Sequence, residues 1–358
     1  MPGIQNSSRN QFALFLKSGP QLAACVLLAA PLAAKADLFV ADSGAVDRFN
    51  SSNGAVIPTN GQDTFATLSS VTGVTVGPDG LVYAADADPG SDPNLAVVNR
   101  YNATTGQQIG GAFIPFTNSA SQLSNAQGIA FGPDGNFYVA DLGDNGPVKA
   151  FNSSGTYLTS YTTTGGNAQA VAFDPLTPND MYVATGSTIE EINLTTHSDN
   201  VIVQGDSDTF SDGADLAFGP DNKLYVLDIS GAAPQILSYN ADGTGQSVFT
   251  NFSSPSFSPA DFDPSDMAFG PNGQLYVSGV NLDSLSILQG EILEISPDGS
   301  TSSQVITGLN NPGFIAFSSV PEPTCVPMLA GSMFLLRRRR RASKRIGRLD
   351  PAIAADSD

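Results

Sequence analysis

Tryptophan is absent from this chain of 358 residues, and histidine, cysteine and basic residues are scarce. The single histidine, His197, excludes a metal site that needs two imidazole ligands. The two cysteines, Cys25 and Cys325, lie near the two ends, so the region between them must fold without a disulfide. Charged residues make up only 14% of the sequence, which excludes a coiled coil and a chain kept disordered by charge.

Positive charge is nearly missing from residues 37–319. That stretch holds thirty of the 34 acidic residues but only four basic ones, which are Arg48, Arg100, Lys149 and Lys223. Because so acidic a surface repels phosphate backbones, we expect no nucleic-acid partner. Cations, basic partners and neutral glycans stay compatible with this charge. The simpler interpretation is that the acidity only keeps the protein soluble.

The first 36 residues have the pattern of a secretory signal peptide. Basic residues precede an apolar run over residues 22–34, and Ala34 and Ala36 form an A-x-A site for signal peptidase. Cleavage there would make Asp37 the first residue of the mature protein. A lipoprotein signal is the alternative, because Leu-Ala-Ala precedes Cys25, although most of the apolar run follows that cysteine.

Three features follow one another near the C-terminus. The first is the sequence Val-Pro-Glu-Pro, which includes Pro321, Glu322 and Pro323. An apolar stretch follows over residues 324–336, and five consecutive arginines follow it at residues 337–341. A stable membrane-spanning helix needs about 20 apolar residues, so this stretch predicts at most a transient span.

This order of features resembles the PEP-CTERM sorting signal, which an exosortase processes after export in bacteria of the Gram-negative type. The resemblance covers residues 320–341 and implies a transient membrane association. It places residues 342–358 in a cytoplasmic tail, because arginines hold to the cytoplasmic side. A plain tail anchor is the alternative. The two end signals together predict an exported protein of the cell surface or the extracellular matrix.

The middle of the chain, residues 37–319, contains an internal repeat. The sequence GIAFGPDGNFYVAD at residues 128–141 recurs, in closer or looser form, at residues 74–83, 171–183, 216–226 and 267–277. The aromatic residue of this motif falls about every 47 residues, since 237 residues over five intervals separate Phe39 from Tyr276.

Each repeat predicts four β-strands. Two apolar runs flank Gly-Pro-Asp-Gly, where Pro presets φ, Asp bonds back to the backbone and Gly adopts a positive φ, as in a tight hairpin. A third strand such as VKAF at residues 148–151 and a weaker fourth strand complete a propeller blade. The middle residue of each first strand is small, as expected nearest a ring axis: Thr75, Ala130, Ala172, Ala217, Ala268 and Ala316.

The two ends of the repeat region complement each other. Residues 38–42 begin at a second strand, whereas residues 313–317 form a first strand with nothing after it. Pairing these two strands would complete one blade and remove the open sheet edges. The sequence therefore predicts an all-β, six-bladed β-propeller of four-stranded blades, closed by its N- and C-terminal strands. A seventh blade would have to lie within residues 102–127 or 251–264.

The repeat unit resembles the NHL repeat and is similar to the SMP-30/gluconolactonase and streptogramin-lyase propellers. The resemblance rests on GIAFGPDGNFYVAD followed by VKAF and covers most of residues 37–317. It implies the propeller fold. For function it implies either a binding module or a metal-dependent enzyme, because both occur among such propellers.

Acidic residues recur at one rim of the predicted ring. They end the second strand or precede the first strand of a blade, and they are Asp42, Asp86, Asp141, Asp215, Asp228 and Asp266. We expect all six around one mouth of the central channel, where carboxylates would suit Ca²⁺, a basic ligand or a polyol. The alternative is that each aspartate caps its own turn through backbone hydrogen bonds.

Other acidic clusters are weaker candidates for Ca²⁺, and solvated loops are the alternative for each. One consists of Asp206, Asp208 and Asp212, and it joins Asp215 and Asp266 as candidate metal ligands. Two more are Asp261 with Asp263 and Asp266, and Asp88 with Asp92. None has the twelve-residue EF-hand pattern.

Catalytic signals are few. His197 is expected in a turn at a blade edge, away from the channel, and no Gly-x-Ser-x-Gly motif occurs. The sequence therefore predicts a binding or scaffolding module with a glycan or protein ligand, and enzyme activity is not expected. The alternatives are a metal-dependent hydrolase of the lactonase type and a purely structural component of the matrix.

Overall fold

The computed structural model describes residues 36–87, 96–116, 121–143, 146–205, 213–230, 234–253, 262–282 and 288–318. Within these ranges the chain forms strands and turns, and no helix there is long and apolar enough to cross a membrane. The predicted signal peptide, sorting signal and tail lie outside the described residues except for Ala36.

The described chain contains 23 strands. In chain order they are β1 (Asp37–Asp42), β2 (Ala45–Asn50), β3 (Thr64–Thr67), β4 (Val71–Val76), β5 (Leu81–Asp86), β6 (Val97–Asn102), β7 (Ala126–Phe131), β8 (Phe137–Asp141), β9 (Val148–Phe151), β10 (Tyr157–Tyr161), β11 (Ala168–Phe173), β12 (Asp180–Thr185), β13 (Thr188–Asn193), β14 (Asp199–Gln204), β15 (Gly213–Phe218), β16 (Leu224–Asp228), β17 (Gln235–Tyr239), β18 (Ser247–Asn251), β19 (Phe262–Phe269), β20 (Leu275–Leu282), β21 (Leu288–Ile295), β22 (Ser302–Leu309) and β23 (Pro312–Phe317).

These strands form six antiparallel sheets, so the predicted six-bladed propeller is confirmed. Blade 1 has the order β23-β1-β2-β3, blade 2 contains β4–β6, and blades 3 to 6 contain β7–β10, β11–β14, β15–β18 and β19–β22. The innermost strands contact one another around a closed ring in the order β4, β7, β11, β15, β19 and β23.

Closure occurs in blade 1, between the two ends of the repeat region. Strand β1 pairs with β23, with Leu38 opposite Phe317 and Val40 opposite Ile315. The backbone amide of Asp37 also donates to the Ser318 side chain over 2.8 Å. The prediction that the first and last strands close the ring is therefore confirmed.

Blade 2 departs from the four-strand pattern. It has three regular strands, and isolated bridges from Val98 to Ile114 and from Tyr101 to Gln108 replace the fourth. Two consecutive glycines, Gly110 and Gly111, interrupt this outer segment, and glycine weakens a strand. This long connection is thus the irregular outer edge of blade 2 and contributes no seventh blade.

The Gly-Pro-Asp-Gly turns form as the residue types predict. Gly80 has a φ of 75°, and the backbone amide of Leu81 donates to the Asp79 carboxylate over 3.1 Å. The Tyr83 hydroxyl donates to the same carboxylate over 2.9 Å. A Cβ on Gly77 would lie 2.8 Å from the Tyr83 ring, so a larger residue at this position would displace the ring.

The hydrophobic core is divided into six clusters, and each cluster lies between two neighbouring blades. Between blades 3 and 4, for example, the rings of Tyr138 and Phe173 lie 4.9 Å apart. Because every blade packs against two others, the ring is rigid at its centre, where the inner strands meet. This packing fixes the positions of side chains near the axis.

Candidate functional site

Three of the predicted rim aspartates end the second strand of a blade and bind the backbone of that same blade. Asp42, Asp86 and Asp141 each accept hydrogen bonds from two consecutive amides in the loop before the inner strand. The donors are Asn310 (3.0 Å) and Asn311 (2.7 Å) for Asp42, Ser69 (3.2 Å) and Ser70 (2.9 Å) for Asp86, and Ser124 (3.0 Å) and Asn125 (2.7 Å) for Asp141. Each carboxylate therefore fixes the point at which the chain turns towards the axis.

Asp141 also has a basic partner. The ammonium group of Lys149 lies 2.7 Å from the Asp141 carboxylate, and both side chains are buried. The same ammonium group donates to the carbonyl oxygen of Gln122. The lysine thus balances a buried charge and anchors the loop before the inner strand of blade 3.

Blade 4 achieves the same cap with other residues. Thr185 occupies the position of Asp141. The carboxylate of Glu190, on the third strand, accepts hydrogen bonds from the backbone amides of Thr164 (2.9 Å) and Gly165 (2.5 Å). Thr188 donates its hydroxyl to Glu190 over 2.6 Å. Burial raises the pKa of Glu190 above its ordinary value.

Asp228 of blade 5 also bonds locally. Its carboxylate accepts the amide of Ser230 over 3.1 Å and the side-chain amide of Gln235 over 3.3 Å. It is buried at the end of β16, one strand away from the inner edge of the blade.

The remaining two rim aspartates come together in the channel. Asp215 on β15 and Asp266 on β19 are both buried, and they act on each other, because, in addition to burial, the Asp215 carboxylate raises the pKa of Asp266. Asp215 also accepts a hydrogen bond from the backbone amide of Met267 over 3.0 Å, and Asp266 accepts one from that of Ile315 over 2.8 Å. Two neighbouring carboxyls can bond to each other only when they share a proton.

The environment of this pair disfavours negative charge. Burial raises the pKa of Asp215 from 3.8 to about 6, against the lowering effect of the Met267 amide. Burial, reinforced by the neighbouring Asp215 carboxylate, raises the pKa of Asp266 well above its ordinary value. The pair therefore titrates as a unit, as like charges in one site do.

The pair lines one wall of a cavity of about 280 Å³ on the ring axis. At the register position of these two aspartates the other inner strands carry Gly73, Gly128, Ala170 and Phe314. The opposite wall is apolar and includes Val74, Ile129 and Val171. A Cβ on Gly128 would lie 2.8 Å from the Cα of Ala170, so close strand contact keeps this side small.

The structure thus brings two of the six rim aspartates together and places the other four at blade loops. The strand-two aspartates are taken up by amides that would otherwise lack acceptors, which agrees with the alternative that each aspartate caps its own turn. Among the residues described, no group of three or more His, Cys, Asp or Glu side chains is placed to hold a metal ion.

Several other predicted positions lie outside the described residues. They are Ala34, Asp88, Asp92, Asp206, Asp208, Asp212, Asp261, Pro321, Glu322 and Pro323. Asp263 lies exposed on β19. His197 lies in the β13–β14 turn at a φ of 57°, with its ring 4.5 Å from that of Tyr161 and away from the channel-lining residues.

Sequence reasoning missed three buried charged residues that the fold uses. Lys149 and Glu190 occupy matching positions on the third strands of blades 3 and 4, opposite Val139 and Val183. Glu291 on β21 is buried and accepts hydrogen bonds from the side chains of Asn281 and Gln304. A charged residue at an inward position of an otherwise apolar strand was the available signal.

The comparisons with known proteins establish the fold only. The chain matches no model of a protein family and no curated protein. Among solved structures, a chain of a nidogen/laminin complex superposes with a TM-score of 0.59 at 14% identity, covering 80% of this chain and 99% of that one. The resemblances to NHL and SMP-30 propellers and to a PEP-CTERM signal therefore stay predictions.

Two bacterial TolB structures are also similar. TolB from Acinetobacter baumannii gives a TM-score of 0.57 at 13% identity and covers 80% of this chain and 66% of its own. A putative TolB from Agrobacterium tumefaciens gives 0.51 at 12% identity, with coverage of 78% and 91%. At such low identity these neighbours support the propeller architecture and carry no residue role across.

Proposed function

We propose that this chain is an exported binding or scaffolding module of the bacterial cell surface or extracellular matrix, and that its ligand enters the axial cavity. Export rests on the signal-peptide pattern that ends at Ala36 and on the PEP-CTERM-like segment 320–341. The propeller fold is compatible with this role. The nidogen/laminin neighbour comes from an assembly of proteins, and we propose a protein or glycan ligand here too.

The proposal rests on the chemical difference between the two sides of the cavity, one acidic and the other apolar. Asp215 and Asp266 provide two buried carboxyls on one side, and apolar side chains such as Ile129 line the other. A cavity with an apolar wall and a few convergent polar groups is the usual form of a ligand site. None of the four basic side chains of residues 37–319 lines it.

This chemistry favours the end group of a larger ligand. The volume of about 280 Å³ is at the lower limit for small-molecule pockets, which hold roughly 300–1,000 Å³. An ammonium or guanidinium group could meet the acid pair while its alkyl part contacts Val74 and Val171. A basic side chain of a protein and an amino sugar of a glycan both present such a group.

Binding assays on the full chain test the proposal. The probes are a lysine-rich peptide, an oligomer of glucosamine, a neutral glucose oligomer and Ca²⁺ with a chelator control. We expect at least one cationic probe to bind, and Asp266→Asn to weaken that binding about tenfold, because one charge contact is worth roughly 1.4 kcal/mol. Asp263→Asn, which removes the same charge from an exposed position of β19, is the matched control.

Other outcomes would redirect the proposal. Equal binding by Asp266→Asn and Asp263→Asn would remove the cavity from the site. Two results together would replace the binding module with the hydrolase alternative. Ca²⁺ would raise the melting temperature by several degrees, and the wild type would hydrolyse a panel of lactones that Asp266→Asn does not. A site occupied at 100 times its Kd would add about 2.7 kcal/mol to the free energy of unfolding.

A further inference from the structure

The two channel aspartates also connect strands of three different blades. Asp215 on β15 of blade 5 accepts the Met267 amide of β19, and Asp266 on β19 of blade 6 accepts the Ile315 amide of β23. Strand β23 belongs to blade 1 and pairs with β1 to close the ring. The side chains therefore form a continuous link from blade 5 to the closing strand.

This link occurs on one side of the ring only. At the same register the other inner strands carry Gly73, Gly128, Ala170 and Phe314, whose side chains have no hydrogen-bonding group. The linked side includes the blade that holds the two chain ends of the propeller together. Closure of a ring depends on that blade, because its sheet is the one assembled from both ends.

Few other charges reach the pair. The strands packed against β15 and β19 are β11, β12, β16, β20 and β23, and β11 and β23 have no titratable side chain. The titratable groups on the others are Asp180, Tyr182, Tyr225, Asp228 and Tyr276. Tyr225 bonds to Asp221 and Tyr276 to Glu294, at the turn end of their strands, and Asp228 bonds to Ser230 and Gln235.

The link depends on one proton. Two carboxyls that bond to each other need a shared proton, and two buried carboxylates without it would repel each other with no basic side chain between them. We propose that the Asp215–Asp266 pair is a pH-sensitive clamp, which holds β15, β19 and β23 together while the proton is shared and loosens the closing blade when it is lost. The clamp needs no ligand, so it is a property beyond the proposed binding function, and each of the two proposals can fail without the other.

The sign of the effect follows from the direction of the pKa shifts. A carboxyl whose pKa is raised on folding stabilises the fold below its unfolded value, and that contribution is lost as the pH rises through the folded value. For Asp215 the window runs from about 4 to above 6. This is opposite to the behaviour of a carboxylate in an ordinary salt bridge.

The test compares the full wild-type chain with Asp215→Asn, Asp266→Asn and the control Asp263→Asn, all without ligand. Asparagine has nearly the size of aspartate, and its amide group can donate a hydrogen bond to the remaining carboxylate at any pH. From pH 4 to pH 8 we expect the unfolding equilibrium of the wild type and of the control to shift towards unfolding by on the order of 100-fold more than in the channel variants. Equal pH dependence in all four proteins would overturn the clamp.

Hydrogen exchange of wild-type peptides that contain Met267 and Ile315 is the second readout. After correction for the intrinsic exchange rate, protection of these peptides should fall between pH 5 and pH 8 by more than the protection of the inner strand β7. Constant protection of β19 and β23 would overturn the clamp even if the asparagine variants failed to fold.

Discussion

Two sets of aspartates in this propeller share a residue type and were expected at the same rim, yet they lie on different strands of the blade and their surroundings differ. Asp42 and Asp86 each face two backbone amides of one loop within their own blade. Asp215 and Asp266 each face one amide from the next blade and, in addition, each other. The strand-two aspartates hold the backbone of their own loop, whereas the inner-strand aspartates reach the neighbouring blade and each other.

Blades 3 and 4 extend the comparison to a second pair of positions. In blade 3 an aspartate caps the loop and a lysine balances it, whereas in blade 4 Thr185 and Glu190 occupy the two positions and the glutamate is the cap. Both blades supply an acceptor for two backbone amides of this loop, because leaving a buried amide without a hydrogen bond lowers the free energy of unfolding.

The largest expected effect comes from removing the balanced cap of blade 3. Asp141→Ala leaves two amides without an acceptor and Lys149 buried without a counter-charge, so we expect a loss of about 3–5 kcal/mol in the free energy of unfolding. Urea denaturation measures it. The double change Asp141→Ala with Lys149→Met should recover part of the loss, and no recovery would show that the buried lysine charge is not the cause.

A smaller loss is expected at Asp86, because its removal leaves Lys149 paired with Asp141. Asp86→Ala leaves the amides of Ser69 and Ser70 without their acceptor, which should cost about 1–3 kcal/mol. Urea denaturation under the same conditions provides the comparison with blade 3. A loss as large as that of Asp141→Ala would contradict the special role assigned to Lys149.

The channel pair should respond with the opposite sign. At pH 8, Asp215→Asn should raise the free energy of unfolding by about 3 kcal/mol, since the pKa of Asp215 is raised from 3.8 to about 6 and each unit is worth about 1.4 kcal/mol. At pH 4 the gain should vanish, because the wild-type carboxyl is then protonated. Thermal or urea unfolding at the two pH values checks it, and a loss at pH 8 would place Asp215 with the capping aspartates.

The smallest effect is expected at the turn of blade 6, where Asn272 replaces the aspartate of the sister blades. Its amide donates to the Tyr276 hydroxyl and to Glu294, each over 2.9 Å. Asn272→Asp would bring two carboxylates together at a half-exposed site, so we expect a loss of about 0.5 kcal/mol at pH 8. The loss should disappear in a Glu294→Gln background, and its persistence there would rule out charge repulsion.

Much of the fold could be predicted from local signals. The Gly-Pro-Asp-Gly turns, the small inner-strand residues and the incomplete repeats at the two ends predicted six blades and their closure, and the structure confirms both. The irregular outer edge of blade 2 was not predicted, because Gly110 and Gly111 break a strand that its neighbours otherwise suggest.

Less of the candidate site could be predicted. The repeat placed Asp215 and Asp266 at the same rim as the other four aspartates, but it does not show which amides and carboxyls each side chain meets. The hydrogen bonds to Met267 and Ile315 join neighbouring blades, and the sequence of one repeat does not indicate its contacts with the next. Lys149 and Glu190 were missed for a related reason, since each occurs once in the pattern.

The most direct test of the central claim is a titration of aspartate carboxyl carbons by NMR in the wild type and in Asp215→Asn. We expect carboxyl signals that titrate above the ordinary aspartate range, one of them near pH 6, and in the variant the loss of the Asp215 signal and a fall in the pKa of Asp266. If every aspartate signal completes its titration below pH 5, or if the titration of Asp266 is unchanged in Asp215→Asn, the two carboxyls do not act on each other and the division of the aspartates into two sets is wrong.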